Sequence, residues 1–446
     1  MVLGAGLVTR PIVHYLSNTC QYKVTLGSRT LSKAQELCKG AVNATAIEVD
    51  VENEAHLQKL EEIIPGVDAV VSMLPYLFHA KVCAIAIRHK KHFLTTSYVS
   101  PAMRDLEAAA KEAGVVLVNE CGVDPGTDHM SAQKLIDEVH AKGGKIVGFK
   151  SFCGGLPAPA DNNNPLGYKF SWAPRGVLLA SRNTATFLRD GKEVTIPGAD
   201  LFSSYEIQKV EGLESELESY PNRDSIQYLK IYGIENECKS IIRGTYRNRG
   251  WCDVIKKLSD LGYLSLTEQD LNGKTYSQLT ASTLKDGASG DLQGDVAKQL
   301  GLESTDRIIT TMKWLGLFDA LPVPANTKTM LDALCSAMLE RMQYAEGEVD
   351  MLVMLHTFDC EFPKESLRRI YTCRLLDFGI KGGDSSMSRT VSLPVAIATK
   401  LVLEGKLSHL KGLVMPTLPE LYNPILQELE SMGIVFREKL EKELPL

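Results

Sequence analysis

The chain has 446 residues, a length typical of two or three domains. Hydrophobic residues make up 44% of it, which is ordinary for a globular protein and enough to build real cores. The formal net charge is −6, so the composition carries no electrostatic footprint for nucleic acid. No segment approaches the roughly 20 apolar residues of a membrane span, and no signal-peptide pattern opens the sequence. We therefore expect a cytoplasmic protein that binds neither nucleic acid nor membrane.

The ten cysteines are scattered along the chain, and none of them forms a CxxC pair. Structural zinc sites and disulfide frameworks depend on recognisable cysteine spacings, and none is present here. We therefore predict reduced thiols, as in cytosolic proteins generally, and no metal ion.

The sequence opens with a short apolar run that leads into the turn Gly4-Ala5-Gly6 and then into a helix. Glycine residues let the backbone approach a pyrophosphate, and the N-terminus of the following helix offers free N–H groups to an anion. Thr9 occupies the third position of this motif, where glycine or alanine is usual. Ordinary strand-to-helix turns look much the same, so this turn needs support from the rest of the chain.

That support comes from the alternation of strand-like and helical segments over residues 1–119. Strands are predicted at 2–3, 24–26, 47–51, 68–74, 93–97 and 115–119. Such alternation predicts an α/β domain with a doubly wound, Rossmann-type parallel sheet. Sheets of this kind bind ligands at the carboxyl ends of their strands. We therefore expect a nucleotide site at those ends.

The residues after the second predicted strand distinguish between the two nicotinamide cofactors. An acidic side chain there would bind the ribose hydroxyl of NAD, whereas this chain has Ser28-Arg29-Thr30. A cation between two hydroxyl groups suits the 2′-phosphate of NADP. A solvated surface arginine is the structural alternative. The positional rule favours NADP, with NAD as the alternative cofactor.

Asp124 follows the last predicted strand, where a substrate and a nicotinamide would meet. A carboxylate at this point could bind a substrate ammonium group or move a proton. The structural alternative is a turn with a helix cap at Thr127 or Asp128. A long loop rich in glycine and proline begins at Cys153, which by default is a small buried hydrophobe.

Two later segments, 220–225 and 243–247, place arginines beside hydroxyl groups, glycine and tyrosine. Guanidinium groups in such surroundings suit forked binding of carboxylates, although each arginine taken singly is more often part of a surface ion pair. Residues 251–343 are predicted to be helical, followed by paired strands at 351–358 and 370–375. A further helix is predicted beyond Pro394, through Leu403.

Several long segments together resemble the saccharopine reductase family, the NADP-linked, glutamate-forming saccharopine dehydrogenases. The segments are 4–11, 96–101, 124–126, 153–159, 164–172, 220–225 and 243–245. They are idiosyncratic and span nearly the whole chain, which leaves little room for a chance match. The resemblance implies reversible condensation of L-glutamate with L-2-aminoadipate 6-semialdehyde, and reduction by NADPH to L-saccharopine.

The resemblance also implies three domains and a homodimer. Residues 1–122 and 392–446 would form the NADP-binding Rossmann-like domain. Residues 123–250 and 344–391 would form an α/β domain for substrate binding and dimerisation, and 251–343 a helical domain. Small molecules, namely saccharopine, glutamate and aminoadipate semialdehyde, are the expected ligands besides the cofactor.

The family pattern carries over residue by residue to the site. It implies that NADP contacts Gly4, Gly6, Leu7, Val8, Thr9, Ser28, Arg29, Thr30, Asp50, Val51, Leu74, Thr96, Ser97, Val123, Asp124, Pro125 and Pro174. It implies that saccharopine is held by Ser97, Tyr98, Asp124, Arg223, Arg243, Gly244 and Thr245. Tyr98 and Asp124 are the expected proton-transfer or amine-binding groups, and Cys153 is expected near the reacting atoms. Arg223 and Arg243 are expected to clamp carboxylates.

Three alternative functions stay open at this point. They are an NAD-linked saccharopine dehydrogenase of lysine degradation, a related imine-reducing dehydrogenase, and a catalytically silent nucleotide-binding dimer. Ala173-Pro174 stands where many family members have two serines, and the segment 198–213 is shorter than its family counterpart. The joint presence of Tyr98, Asp124, Arg223 and Arg243 argues against the silent dimer, since a sensor has no need of a substrate clamp.

Overall fold

The computed structural model describes residues 1–325 and 327–446, and the chain divides into two compact units. Unit 1 comprises Met1–Val147, Ile231–Glu237 and His356–Leu446, and unit 2 comprises Gly148–Lys230 and Cys238–Leu355. Among the residues described, no helix is long and apolar enough to cross a membrane.

The strands, in chain order, are β1 (Val2–Leu3), β2 (Val24–Ser28), β3 (Ala44–Glu48), β4 (Ala69–Ser72), β5 (His92–Thr95), β6 (Val116–Val118), β7 (Lys145–Pro157), β8 (Ala185–Arg189), β9 (Lys192–Ile196), β10 (Glu206–Gln208), β11 (Leu217–Pro221), β12 (Ser240–Asn248), β13 (Asp350–Phe362), β14 (Leu367–Phe378), β15 (Gly412–Val414) and β16 (Phe436–Pro445). The α-helices are α1 (Arg10–His14), α2 (Leu31–Cys38), α3 (Glu54–Ile63), α4 (His79–Arg88), α5 (Pro101–Arg104), α6 (Glu107–Ala113), α7 (Thr127–Ala141), α8 (Pro174–Ala180), α9 (Gln227–Ile231), α10 (Trp251–Asp260), α11 (Tyr276–Ser282), α12 (Leu292–Leu300), α13 (Arg307–Trp314), α14 (Met330–Arg341), α15 (Ser386–Leu403) and α16 (Pro419–Ser431). One turn of π-helix, Tyr15–Thr19, continues α1.

Unit 1 contains a parallel sheet with strand order β15-β6-β5-β4-β1-β2-β3. All of its neighbouring strands pair in parallel, and β1 lies between β2 and β4. Every residue of β4 is buried, as expected of a strand whose two faces are covered by helices. The order 3-2-1-4-5-6 is that of a doubly wound dinucleotide-binding sheet, which confirms the predicted fold class.

Two features of the C-terminal region of unit 1 differ from the prediction. The helix α15 does not begin beyond Pro394 but at Ser386. Ser385 is its N-cap, and the Ser385 hydroxyl accepts the N–H of Ser388 at 3.0 Å. Most of α15 is buried, and this packing outweighs the backbone hydrogen bond that the internal proline cannot donate. The short strand β15 was not predicted, and it joins the parallel sheet beside β6.

Unit 2 is built around a mixed sheet in which β12 runs parallel to β7 and antiparallel to β11. The hairpin of β8 and β9 is attached to the same sheet through β12. Helices α10 to α14 follow, which agrees with the predicted helical segment. The N-terminus of α11 carries a capping box, in which Thr275 and Gln278 satisfy each other's backbone N–H groups.

Candidate functional site

The glycine turn lies at the carboxyl end of β1. Gly4 has a φ of +107°, and a Cβ at this position would lie 2.6 Å from the carbonyl oxygen of Met73, so only glycine fits. Beside Gly6, by contrast, no atom lies within 4 Å of the position of a Cβ. Buried Thr9 accepts the Gly6 N–H at 3.2 Å and donates to the Gly4 carbonyl at 3.0 Å. The threonine in the third motif position therefore ties the two glycines together.

The predicted cofactor-selecting residues lie at the carboxyl end of β2. Arg29 is 73% exposed, and its guanidinium lies 3.8 Å from the carboxylate of Glu52, itself 60% exposed. An ion pair this exposed contributes little to stability. Thr30 precedes α2 but its side chain makes no capping bond, and its N–H donates to the hydroxyl of Ser28 at 3.2 Å. Arg29 can therefore turn towards an anionic ligand at small cost.

Tyr98 and Asp124 come together beyond the carboxyl ends of β5 and β6. The Tyr98 hydroxyl donates to Oδ1 of Asp124 over 3.0 Å. The two loops are also joined by their backbones, because the N–H of Glu120 donates to the carbonyl of Ser97 at 3.1 Å. The structure thus brings together the two residues that were predicted to handle the amine and its proton.

Glu120 and His129 form a buried network beside this pair. One oxygen of the Glu120 carboxylate accepts the N–H of Val99 at 3.0 Å, and the other lies 2.9 Å from Nε2 of His129. Nδ1 of His129 lies 2.7 Å from the hydroxyl of Tyr232. The network therefore holds the backbone immediately after Tyr98.

The loop that carries Asp124 is held from the same side. Asp128, the neighbour of His129, accepts the N–H of Gly126 at 2.5 Å. Gly126 has a φ of +151°, and a Cβ there would lie 2.0 Å from the carbonyl oxygen of Gly122, so the loop closes tightly on itself. The N-cap of α7 is Gly126 and no side chain makes the capping bond, so the predicted helix cap at Thr127 or Asp128 is wrong. The carboxylate of Asp124 accepts from Tyr98.

A second buried histidine was also not predicted. His79 is the first residue of α4, and its ring lies between the hydroxyl groups of Ser72 and Ser97. Glu120, His129 and His79 carry no motif that sequence reasoning could have used. Position was the available signal. Glu120 directly follows one predicted strand, and His79 begins the helix that comes after another predicted strand.

In unit 2, Cys153 and Thr245 are paired residues on the parallel strands β7 and β12. Thr245 is in turn paired with Tyr220 on β11. Residues paired across strands project to the same face of a sheet, so these three side chains form one row. Gly244 precedes Thr245 on β12 and has a packing role, because a Cβ there would lie 2.4 Å from the carbonyl oxygen of Tyr220.

The two arginine segments of unit 2 run side by side. The N–H of Asn222 donates to the carbonyl of Arg243 at 2.9 Å, and the N–H of Arg243 donates to the hydroxyl of Ser225 at 2.9 Å. Arg243 is 6% exposed, and its guanidinium carbon lies 4.2 Å from the centre of the Tyr228 ring. Arg243 is therefore a buried residue and not a surface one. Arg223 is exposed and has a φ of +56°.

The other predicted site residues lie after strands of the parallel sheet, with one exception. Asp50 and Val51 follow β3, Leu74 follows β4, Thr96 and Ser97 follow β5, and Val123 to Pro125 follow β6. Pro174 is the exception, as the first residue of α8 in unit 2.

These residues fit a dinucleotide phosphate. The tight turn at Gly4 and the open space beside Gly6 form a cradle, because a Cβ on Gly6 would project into that space, where an anion would meet the backbone. The exposed cation of Arg29 stands where a 2′-phosphate is recognised in such folds. The sheet order and the glycine cradle therefore fit a dinucleotide, and the position of Arg29 favours NADP.

Comparison with known proteins supports the same assignment. Residues 1–118 match the family model of the saccharopine dehydrogenase NADP binding domain, and residues 122–434 match that of the saccharopine dehydrogenase C-terminal domain. The prediction of an NADP-binding domain is thereby confirmed.

Individual relatives cover the chain almost completely. The chain is 42% identical to the NADP(+)-linked, L-glutamate-forming saccharopine dehydrogenase of Schizosaccharomyces pombe, over 99% of both chains. It is 35% identical to the mitochondrial alpha-aminoadipic semialdehyde synthase of Bos taurus, over 98% of this chain and 47% of the bovine protein. The solved structure of apo, histidine-tagged saccharopine dehydrogenase (L-Glu forming) from Saccharomyces cerevisiae superimposes with a TM-score of 0.87, at 39% identity over 99% of both chains. The chain therefore belongs to the saccharopine dehydrogenase family of oxidoreductases.

Proposed function

We propose that the protein is an NADP-linked, glutamate-forming saccharopine dehydrogenase. It would reversibly convert L-glutamate, L-2-aminoadipate 6-semialdehyde and NADPH into L-saccharopine, NADP+ and water, in the aminoadipate route of lysine metabolism. The observation that carries this proposal is the 42% identity to an enzyme of that name over 99% of both chains. The exposed Arg29 at the end of β2 supports the choice of NADP over NAD.

In unit 1, the turn from Gly4 to Thr9 would hold the pyrophosphate of the cofactor, and Arg29 its 2′-phosphate. The bound nicotinamide would supply the acceptor for a hydride from the carbon next to the secondary amine of saccharopine, or the donor in the opposite direction. The protein's own task is to bind, orient and balance charge.

The Tyr98–Asp124 pair would serve the substrate nitrogen. The Asp124 carboxylate accepts from the Tyr98 phenol at 3.0 Å and would attract the secondary ammonium group of saccharopine. That ammonium must lose a proton before the carbon–nitrogen bond can be oxidised, and the Asp124 carboxylate is the proposed acceptor. Cys153, 7% exposed, is proposed to line the site rather than to act as a nucleophile.

In unit 2, Arg223, Arg243, Gly244 and Thr245 would hold the carboxylates of saccharopine. The molecule carries three carboxylates, and guanidinium groups bind carboxylates in forked pairs. Burial of Arg243 over the Tyr228 ring restricts its side chain, which lowers the entropy that binding must remove. The two remaining site proposals are Pro174 as a cofactor contact and Ser97 as a contact to both ligands.

We further propose a homodimer in the cytoplasm. The proposed domain division is 1–122 with 392–446, 123–250 with 344–391, and 251–343. The full-length similarity to single enzymes and the pairing of the two arginine segments favour an active enzyme over a silent nucleotide-binding dimer.

The test is the absorbance of the nicotinamide band with purified protein, saccharopine and either NADP or NAD. We expect saccharopine-dependent reduction of NADP and little reduction of NAD. Preference for NAD would favour the NAD-linked alternative. Turnover only with another amino-acid-derived substrate would favour a related imine-reducing dehydrogenase. Tight NADP binding without turnover would favour the silent dimer.

A further inference from the structure

The ring of His79 is enclosed by three hydroxyl groups in unit 1. Nδ1 lies 2.8 Å from Oγ of Ser72, and Nε2 lies 2.8 Å from Oγ of Ser97 and 3.2 Å from Oγ1 of Thr95. His79 is 1% exposed and Ser97 is partly exposed. The histidine therefore cannot touch a ligand itself, whereas the serine can.

The neighbouring hydrogen bonds decide which ring nitrogen carries the proton. Oγ1 of Thr95 lies 3.0 Å from the carbonyl oxygen of Ser72, which can only accept, so the single hydroxyl hydrogen of Thr95 is used there. The contact between Thr95 and Nε2 of His79 then requires a hydrogen on Nε2. In that tautomer Nδ1 accepts from the hydroxyl of Ser72, and every contact of the ring is satisfied.

The consequence falls on Ser97. Its oxygen accepts from Nε2 of His79, so its own hydrogen points away from the ring. We propose that His79 is a positioning residue that makes the Ser97 hydroxyl a hydrogen-bond donor to an acceptor oxygen on a bound ligand. That oxygen belongs either to a carboxylate of saccharopine or to the carboxamide of the nicotinamide, and the identity of both ligands rests on the proposed function.

The surroundings keep this arrangement intact near neutral pH. Burial lowers the pKa of His79 to about 4, so the ring is neutral and Nδ1 remains an acceptor. A charged imidazolium would have to donate from both nitrogens and would reverse the Ser72 contact. A neutral, fixed tautomer is what an orienting role needs.

The test is a double-mutant cycle between His79 and Ser97. The variants are His79→Phe, which fills the space without polar atoms, Ser97→Ala, and the two combined. His79→Gln keeps a donor near the position of Nε2 and serves as the rescue variant. His92→Gln is the control, because His92 is another histidine of unit 1, but it is only partly buried and accepts the N–H of Val116 at the amino end of β5.

For each variant we would measure kcat and KM for saccharopine oxidation and the Kd of NADP. We expect His79→Phe and Ser97→Ala each to lower kcat/KM roughly tenfold, the effect of about one hydrogen bond. The double variant should be no worse than either single one, His79→Gln should recover part of the loss, and His92→Gln should behave as wild type. A deficit in the Kd of NADP would identify the carboxamide as the acceptor, and a deficit in the KM of saccharopine would identify the carboxylate.

Two results would overturn the proposal. One is additivity, with the double variant roughly a hundredfold impaired, because independent structural damage adds while action through Ser97 does not. The other is full activity of either single variant. If His79→Phe does not fold, Ser72→Ala removes the donor to Nδ1, and its effect should likewise vanish in the Ser97→Ala background. Failure of the proposed function would show separately, as absence of saccharopine-dependent NADP reduction by the wild-type protein.

Discussion

The carboxylate of Glu120 lies 2.9 Å from Nε2 of His129, and both side chains are buried. This contact joins the residue that supports the Tyr98 loop to the helix α7 that supports the Asp124 loop. Two short loops at the ends of different strands are thereby held in one arrangement. We infer that the pair preorganises the site, because catalytic geometry depends on such supporting contacts.

The first prediction concerns the stability that this contact provides. His129→Ala leaves the Glu120 carboxylate buried without its ring partner, and we expect the free energy of unfolding to fall by roughly 3–5 kcal/mol. Tyr232→Phe removes only the outer hydroxyl of the network and should cost about 1 kcal/mol. Urea unfolding at pH 7 measures both. Equal effects of the two substitutions would contradict the central role of the Glu120–His129 contact.

The second prediction concerns the proposed proton acceptor. Asp124→Asn keeps the size of the side chain but removes its charge, so we expect kcat for saccharopine oxidation to fall by about 10²-fold or more. Tyr98→Phe removes the donor to Oδ1 but leaves the carboxylate, and its effect should be smaller. Steady-state kinetics at pH 7 would show the difference. Near-normal turnover by Asp124→Asn would rule out the proposed role.

The third prediction separates the two glycines of the cradle. Gly4→Ala forces a Cβ against the Met73 carbonyl and a side chain into a positive φ, so unfolding should become easier by about 1–3 kcal/mol. Gly6→Ala adds its methyl group to open space, so Tm should hold while the Kd of NADP rises about tenfold or more. Thermal melts and NADP titrations of the two variants test this. A loss of Tm in Gly6→Ala would contradict the assignment.

The fourth prediction concerns cofactor choice. Arg29→Ala should weaken NADP binding by about 1.5–3 kcal/mol, the range for hydrogen bonds to charged groups, and leave NAD binding unchanged. Glu52→Gln is the matched control, because it removes the carboxylate 3.8 Å from the same guanidinium and should slightly strengthen NADP binding. Fluorescence titration of wild type and both variants with NADP and with NAD gives these affinities. Parallel losses for both cofactors in Arg29→Ala would show that Arg29 does not recognise the 2′-phosphate.

The fifth prediction is a pH dependence of stability. The pKa of His79 is lowered by burial to about 4, whereas an unfolded histidine titrates near 6.5. Between these two pH values the unfolded state binds the extra proton, so stability falls as the pH drops from about 6.5 to 4, by about 3 kcal/mol in all. His14 and His92, whose pKa values burial also lowers, act in the same direction. The difference between wild type and His79→Gln in the pH dependence of the free energy of unfolding gives the contribution of His79. Identical pH profiles would show that His79 makes no contribution.

Much of the fold was predictable because its signals are local. Most strands of the parallel sheet up to β6 are short apolar runs followed by helices, so their alternation indicates a doubly wound sheet. The exception is β3, which spans Ala44–Glu48 rather than the predicted 47–51 and has no buried residue. The glycine turn and Ser28-Arg29-Thr30 owe their interpretation to their position after strands. Asp124 was likewise identified by where its strand ends, and the family resemblance supplied Tyr98 and the roles of both residues.

The tertiary structure decided what depends on distant parts of the chain. The strand β15 joins β6 only because the chain returns after almost three hundred residues, and Pro394 lies inside a helix only because that helix is buried. His129 meets Tyr232 across 103 residues of sequence. Sequence patterns report the preferences of neighbouring residues, whereas burial and hydrogen-bond partners are set by the packed chain. The sequence by itself thus determined the sheet, its cradle and the proposed cofactor, and only the packed structure decided which buried histidines support the site.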